Sequence, residues 1–144
     1  MPRARVAQAA ALVVGIAALA APAGAGDVFA IFRTPGGNIG CAYARFEGES
    51  PTLRCDIRSG LVPKPPRPKS CDLDWAYGYE MSVTGRAHTF CAGDTALNPR
   101  ASVLAYGRTF RRGGFTCTSR TTGLTCRNLS GHGFLLSRAR SRTL

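Results

Sequence analysis

The sequence lacks several patterns that define common protein classes. After residue 20, no apolar run is long enough to span a membrane, so we expect no transmembrane segment there. No stretch keeps a helical period over several turns, and this argues against a helical domain. No Cys-x-x-Cys pair occurs, and its absence excludes the usual structural zinc sites.

Patterns that carry catalysis are also missing. His88 and His132 are the only histidines, and no spacing ties them together. The Gly-x-Ser-x-Gly turn of many serine hydrolases is absent. Asp72, Asp74 and Asp94 do not follow the regular spacing of a calcium loop. We therefore expect no enzymatic activity, no cofactor and no bound metal ion.

Acidic residues are absent from the last fifty positions of the chain. Thr95–Leu144 contains nine arginines and no aspartate or glutamate, whereas residues 24–94 contain eight basic and eight acidic residues. An unopposed basic half suggests an anionic partner, because guanidinium groups bind phosphate or carboxylate through two parallel hydrogen bonds. The alternative is that arginine is abundant because the genome is GC-rich and that the charge serves solubility.

Four of these arginines surround two adjacent predicted hairpin turns, so they would converge on one edge of a sheet. We predict that they bind the anion: Arg108, Arg111, Arg112 and Arg120.

The first 25 residues have the layout of a secretory signal peptide. Arg3 and Arg5 precede an apolar stretch from Val6 to Ala20, and small residues follow it. We expect cleavage after residue 23 or 25 and a secreted, extracytoplasmic protein. An uncleaved N-terminal anchor is the alternative.

Six cysteines follow this segment, and an even number in an oxidising compartment predicts a disulfide framework. Cys117 and Cys126 lie symmetrically about Thr121-Thr122, so a hairpin there would place them opposite each other. A second pair flanks a polar loop in the same way, which leaves the last two cysteines for each other. We predict the pairs Cys41–Cys55, Cys71–Cys91 and Cys117–Cys126, although sequence alone leaves other connectivities open.

Short runs rich in Val, Ile, Phe, Tyr and Thr recur, each ended by Gly, Pro, Asn or Ser. Many short strands at close spacing predict an all-β fold, an antiparallel sandwich or a barrel-like domain, over residues 26–137. We expect residues 138–144 to be a basic C-terminal tail and at most a short helix at Asp72–Tyr77. The predicted strands are Val28–Arg33, Ile39–Tyr43, Thr52–Ile57, Tyr79–Val83, Ala87–Cys91, Ser102–Tyr106, Thr109–Arg111, Phe115–Ser119, Leu124–Asn128 and Phe134–Ser137.

Aromatic residues alternate at Trp75, Tyr77 and Tyr79. A strand would place all three on one face. Such a row would suit the stacking of a sugar, but it is more often half of a small core, and we favour the core.

A short pattern occurs twice. Leu53–Gly60 and Leu124–Gly131 both read Leu-x-Cys-x-x-x-Ser-Gly, and each forms the second arm of a predicted disulfide hairpin. One interpretation is an old duplication. The other is that strands ending in Ser-Gly resemble one another by chance.

Six short motifs carry a family resemblance: Phe32–Cys41, Leu53–Asp56, Gly93–Thr95, Phe115–Cys117, Gly123–Asn128 and Gly131–Phe134. They resemble a family of small exported actinobacterial proteins classed only as a domain of unknown function. The resemblance implies an exported, cysteine-bridged single domain, and it assigns no catalytic residue.

These observations favour a monomeric, secreted, non-catalytic binding or structural module that contacts an anionic cell-wall polymer through its arginine-rich half. One alternative is an inhibitor or effector that binds another extracellular protein through a rigid loop. Another is a small secreted hydrolase such as a nuclease, with His88 and His132 as acid and base.

Overall fold

The computed structural model describes residues 26–144, so the predicted signal peptide lies outside the described residues. Within the described part, the chain forms twelve strands and no helix. The strands are β1 Val28–Arg33, β2 Ile39–Arg45, β3 Thr52–Ile57, β4 Asp74–Trp75, β5 Gly78–Ser82, β6 Cys91–Ala92, β7 Ser102–Val103, β8 Thr109–Arg112, β9 Phe115–Arg120, β10 Gly123–Arg127, β11 Gly133–Leu136 and β12 Ser141–Thr143.

Most strands belong to two five-stranded sheets. The first sheet has the order β5-β3-β2-β1-β7, and the second has the order β12-β11-β10-β9-β8. Neighbouring strands are antiparallel except β1 and β7, which pair in parallel. A small third sheet joins β4 to β6. The prediction of a small antiparallel all-β domain with three disulfides is therefore confirmed.

The two large sheets pack face to face through matching rows of side chains. In each sheet, one cross-strand row consists of an aromatic residue, two cysteines joined by a disulfide, and a second aromatic residue. The rows are Phe32–Cys41–Cys55–Tyr79 in the first sheet and Phe110–Cys117–Cys126–Phe134 in the second. The first rings of the two rows stack with centroids 4.5 Å apart, and the last rings lie 5.7 Å apart. Both disulfides are thus enclosed between two aromatic pairs.

The facing strands β2 and β9 run in opposite directions. Tyr43, two residues after Cys41, contacts Phe115, two residues before Cys117, with ring centroids 6.1 Å apart. The sheets are therefore related by an approximate two-fold rotation about an axis along the two rows. This relation supports the interpretation that the two hairpins arose by duplication, and it brings the β1–β2 turn close to the β9–β10 turn.

The segment Val62–Lys69 is rich in proline, and the third disulfide, which joins Cys71 to Cys91, ties the end of this proline-rich segment to β6. The indole N–H of Trp75, in the adjoining β4, donates to the carbonyl of Pro65 at 3.0 Å. The proline-rich segment is therefore held against the domain by a covalent link at its end and by polar contacts along its length.

The predicted aromatic row does not form a common face. Ala76 has a φ of +63° and separates β4 from β5, so strand alternation is broken between the rings. Tyr79 is buried in the main core, and Trp75 packs against this core. These two residues therefore have the core role that we favoured. Tyr77 is exposed, with the ammonium of Lys64 5.0 Å from its ring centroid.

Two other stretches differ from the expected secondary structure, besides the predicted strand Ser102–Tyr106, which is shortened to β7. No helix forms at Asp72–Tyr77, which instead contains β4. The predicted strand Ala87–Cys91 is reduced to a single bridge between His88 and Glu80, followed by β6. Both differences arise because pairing with distant segments decides the local conformation here.

Residues 138–144, expected as a tail, contain the edge strand β12. Its three residues pair with β11, and the amide of the buried Ser141 donates to the carbonyl of Val62 at 2.6 Å. The amide of Leu144 also donates to Gly133 at 2.8 Å. The last residues are therefore part of the second sheet.

Truncation of Phe134 tests the packing of the two rows. Phe134→Ala should lower the free energy of unfolding by about 3–5 kcal/mol, because the ring is fully buried against Tyr79. The control Leu129→Ala, at a side chain that is 73% exposed, should change it by no more than about 0.5 kcal/mol. Urea denaturation with the disulfides intact measures both values, and equal losses would contradict the assigned core.

Candidate functional site

The outer faces of the two sheets differ in what covers them. On the first sheet, the guanidinium of Arg54 lies 4.3 Å from the ring centroid of Phe90, and Asp56 is hydrogen-bonded to Thr95 and Ala96. Residues 88–97 therefore cover part of this face. On the outer face of the second sheet, the side-chain hydrogen bonds join residues of the sheet to each other or to its own turns. Among the described residues, no other segment is therefore hydrogen-bonded onto this face.

Threonines and arginines line the outer face of the second sheet. The residues between the buried positions of each strand point outward, since side chains alternate along a strand. The strand register places Arg111 and Arg127 on either side of Thr116, and Thr109, Thr118, Thr125, Leu135 and Arg142 in the neighbouring row. We call this surface the threonine–arginine face: Thr109, Arg111, Thr116, Thr118, Arg120, Thr125, Arg127, Leu135 and Arg142.

The dimensions of this face follow from sheet geometry. Thr116 and Arg120 are four residues apart on β9, which is about 14 Å along the strand. Arg111 and Arg127 are two strands apart, which is about 10 Å. A hydrogen bond from Arg111 to the Thr116 hydroxyl, at 3.2 Å, positions one of the guanidinium groups.

No carboxylate neutralises these arginines. The ion pairs found in residues 26–144 are Arg54–Asp56, Arg54–Asp94 and His88–Glu80. All three lie on or beside the first sheet. The threonine–arginine face therefore carries an uncompensated positive charge.

The four arginines selected from the sequence do not share one face. Arg111 and Arg120 lie on the threonine–arginine face. Arg108 and Arg112 are each two residues from Phe110, whose ring faces the core. Side chains alternate along a strand, so both arginines project from that same side of the edge strand β8, opposite to the threonine–arginine face.

Two arginines of this face were not selected from the sequence. Arg127 directly follows Cys126, and the hairpin register that pairs the cysteines places it opposite Thr116. Side chains alternate from the paired cysteines outward along each strand, so the predicted disulfide was enough to place Arg127 on the outer face. Arg142 lies in the stretch that we expected to be a tail, so its place next to Leu135 depends on the formation of β12.

An open groove with a volume of about 490 Å³ continues the face at its far end. The β1–β2 and β9–β10 turns form its walls, as the two-fold relation of the sheets requires. Arg120 belongs to both the face and the groove, and Arg138 and the half-exposed Tyr106 complete its lining. Positive charge and one aromatic ring thus meet at this end.

A buried carboxylate holds the covering segment on the first sheet. Asp56 is 2% exposed and accepts two hydrogen bonds of 2.9 Å from the guanidinium of Arg54. The hydroxyl of Thr95 and the amide of Ala96 donate to it at 3.0 and 2.9 Å. We call this arrangement of Arg54, Asp56, Thr95 and Ala96 the Asp56 clamp.

The charges of the clamp extend to a second aspartate. Burial of Arg54 lowers the pKa of its guanidinium, but the hydrogen bonds and charges of Asp56 and Asp94 outweigh this and raise that pKa overall. The hydrogen bond from Arg54, 2.7 Å long, lowers the pKa of the Asp94 carboxyl. The contribution of Asp94 to stability is therefore present above its unfolded pKa and is lost as the pH falls through the lowered folded value.

The histidines lie apart from this face. His88 bridges Glu80 at the edge of the first sheet, with its Nε2 atom 3.1 Å from the Glu80 carboxylate. His132 lies in the turn before β11 of the second sheet. In residues 26–144, no cluster of three His, Cys, Asp or Glu side chains is placed to hold a metal ion.

Comparison with known proteins identifies a family. The model of a family described as "Family of unknown function (DUF6636)" matches residues 11–144, a range that contains all six motifs of the resemblance. Neither a curated protein nor a solved structure matches the chain. Among the described residues, no helix is suited to crossing a membrane.

Removal of the clamp carboxylate tests its structural role. Asp56→Ala should lower the free energy of unfolding by about 3–5 kcal/mol, because Arg54 would remain largely buried without its main partner. Asp94→Ala should lower it by less than about 1 kcal/mol, because the Asp94 side chain is 81% exposed. Urea denaturation at neutral pH compares the two, and similar small losses would show that Asp56 does not hold the segment.

Proposed function

The chain belongs to the DUF6636 family, and we propose that it is an exported, non-catalytic binding module that holds an anionic cell-envelope polymer on its threonine–arginine face. The observation that carries this proposal is the concentration of four arginines and four threonines on one open sheet face without a carboxylate.

The spacing of the arginines favours a polymer over a single small anion. Arg111 and Arg127 are about 10 Å apart, and Arg120 lies about 14 Å along the sheet from their row, so one phosphate or carboxylate reaches only one or two of them. A chain with repeated charges can contact all of them in turn. Each exposed arginine contributes only about 1 kcal/mol near an anionic surface, so several contacts along one chain are needed for stable binding.

The threonines suit the same ligand. Their hydroxyls donate and accept hydrogen bonds, so they can contact sugar hydroxyls and phosphate oxygens between the charged groups. The Cys117–Cys126 disulfide lies directly beneath the face and joins the central strand β10 to β9. The face is therefore rigid before the polymer binds, and little order has to be gained on binding.

Export is supported by the signal layout of residues 1–25 together with the disulfides. Disulfides form and persist in oxidising compartments and are rare in the cytosol. All six cysteines of the chain are paired in the structure, two of the three pairs in the centre of the core.

A protein partner is the second candidate, and one observation favours it. Phe29 and Phe46 are 64% and 50% exposed at the end of the first sheet where β1 begins and β2 ends, away from the threonine–arginine face. Exposed aromatic rings are common in protein interfaces. A nuclease has less support, because His88 lies beside the first sheet while the arginines of the threonine–arginine face lie on the second.

Binding to isolated cell envelope tests the proposal. The oxidised protein should sediment with the envelope at low salt, and the bound fraction should fall steeply as salt rises, because exposed charges are screened. The triple variant Arg111→Gln/Arg127→Gln/Arg142→Gln should bind about tenfold to a hundredfold more weakly.

A variant with the same loss of charge elsewhere is the control. Arg100→Gln/Arg108→Gln/Arg112→Gln removes three exposed arginines outside the face and should keep most of the affinity. Equal losses in both variants would mean that net charge, not this face, causes binding. Failure of the parent protein to sediment at any salt concentration would overturn the proposal and direct the search to protein partners.

A further inference from the structure

A second positively charged site lies at the end of the first sheet. A cleft with a volume of about 190 Å³ opens between the β1–β2 hairpin and the segment Leu97–Pro99. Arg33 and Arg58 supply its charge, and Gly37 and Gly40 line it without side chains. This cleft uses none of the residues of the threonine–arginine face.

The Asp56 clamp builds one wall of the cleft. It fixes Thr95 and Ala96 on the sheet, and the amide of Leu97 then donates to the Thr95 hydroxyl at 3.1 Å. The segment approaches β2 so closely that a Cβ on Gly40 would lie 2.8 Å from the carbonyl oxygen of Ala96. Only glycine at position 40 therefore permits this wall, and the cleft exists before any ligand binds.

The two guanidinium groups in the cleft have no carboxylate partner. Neither Arg33 nor Arg58 forms an ion pair within residues 26–144. Arg58 also borders a neighbouring cleft that contains Asp74 and Asp94, but neither carboxylate is within ion-pair distance of it.

Arg33 is also poorly satisfied by hydrogen bonds. Its Nη1 atom reaches the carbonyl of Pro35 only at 3.5 Å, and its buried Nε atom has no hydrogen-bond partner. A buried donor without a partner is rare in folded proteins, and it is costly when the group is charged. An oxyanion in the cleft would supply an acceptor to the terminal nitrogens of Arg33, of which Nη1 has only the long contact with Pro35.

We infer that the cleft of Arg33 and Arg58 binds a phosphate monoester group. Two guanidinium groups carry two positive charges, and a phosphate monoester carries about −1.5 to −2 at neutral pH, so the charges balance. A single carboxylate would leave excess positive charge. The volume is about that of six water molecules, which leaves room for the phosphate and the atom that carries it.

Titration with inorganic phosphate at constant ionic strength tests this site. The backbone amide resonances of Gly37 and Gly40 in the oxidised, isotope-labelled protein should shift and saturate, with a dissociation constant of about 1 mM. Acetate carries a single negative charge. Titrated in the same way, it should give a dissociation constant at least about tenfold higher than that of phosphate if charge balance selects the ligand.

Two variants separate the site from general charge effects. Arg58→Gln alters an exposed side chain, so the protein should fold, and phosphate should bind at least about tenfold more weakly. The control Arg86→Gln removes an exposed arginine outside the cleft and should leave binding unchanged.

The outcomes distinguish this site from the proposed polymer-binding face. Absence of a saturable shift at Gly37 and Gly40, or equal binding by Arg58→Gln, would overturn the inference. Shifts confined to Thr116, Thr118 and Thr125 would overturn it as well, and would place phosphate on the threonine–arginine face. The variants of that face should bind phosphate in the cleft as well as the parent does, so either proposal can fail alone.

Discussion

The two disulfides between neighbouring strands are the constraint on which both sheets depend. Cys41–Cys55 and Cys117–Cys126 each join residues that are directly opposite in the ladder. Because side chains alternate, a slip of one residue would turn every core side chain outward and every surface side chain inward. Each disulfide therefore fixes the register of one strand pair that includes the central strand of its sheet, and with it which side chains of that pair face the core. A domain of this size buries only about 65% of its unfolded surface, so such covalent restraints carry much of its stability.

The disulfide hairpins β2–β3 and β9–β10 have matching registers, but their outward-facing residues differ. Asp56 and Arg127 occupy equivalent positions, each directly after the second cysteine of its hairpin and each pointing away from the core. In the first sheet, Gly40 opposite Asp56 leaves space for a covering segment, which the carboxylate then binds. In the second sheet, Thr116 occupies the matching position opposite Arg127, and the face stays open. The same position of the hairpin thus carries a structural carboxylate in the first sheet and, in our proposal, a ligand-binding guanidinium in the second.

Sequence reasoning succeeded where local patterns decide the structure and failed where distant contacts do. Alternating residues and turn glycines were enough to predict the all-β class and most strands. Arg108 and Arg112 were grouped with Arg111 and Arg120 by their nearness to a turn, whereas alternation along β8 places the two pairs on opposite sides of the sheet. Arg54 is the only neighbour in the sequence that bonds Asp56, and nothing there indicates Thr95 and Ala96, its partners about forty residues further on. Likewise, the first residue of β12, beyond its pairing with β11, is held by the carbonyl of Val62, far away in the chain.

The two positively charged sites differ in how solvent acts on them, and this difference separates their roles. Arginines of the threonine–arginine face are exposed, so salt screens them and their contribution depends on the number of charges that a ligand presents. Arg33 is half-buried with one nitrogen fully enclosed, so its interaction with an anion is screened less and depends on the geometry of the cleft. The open face is thus suited to retaining a long polymer of variable sequence. The cleft, with a wall fixed by the Asp56 clamp, is suited to selecting one chemical group.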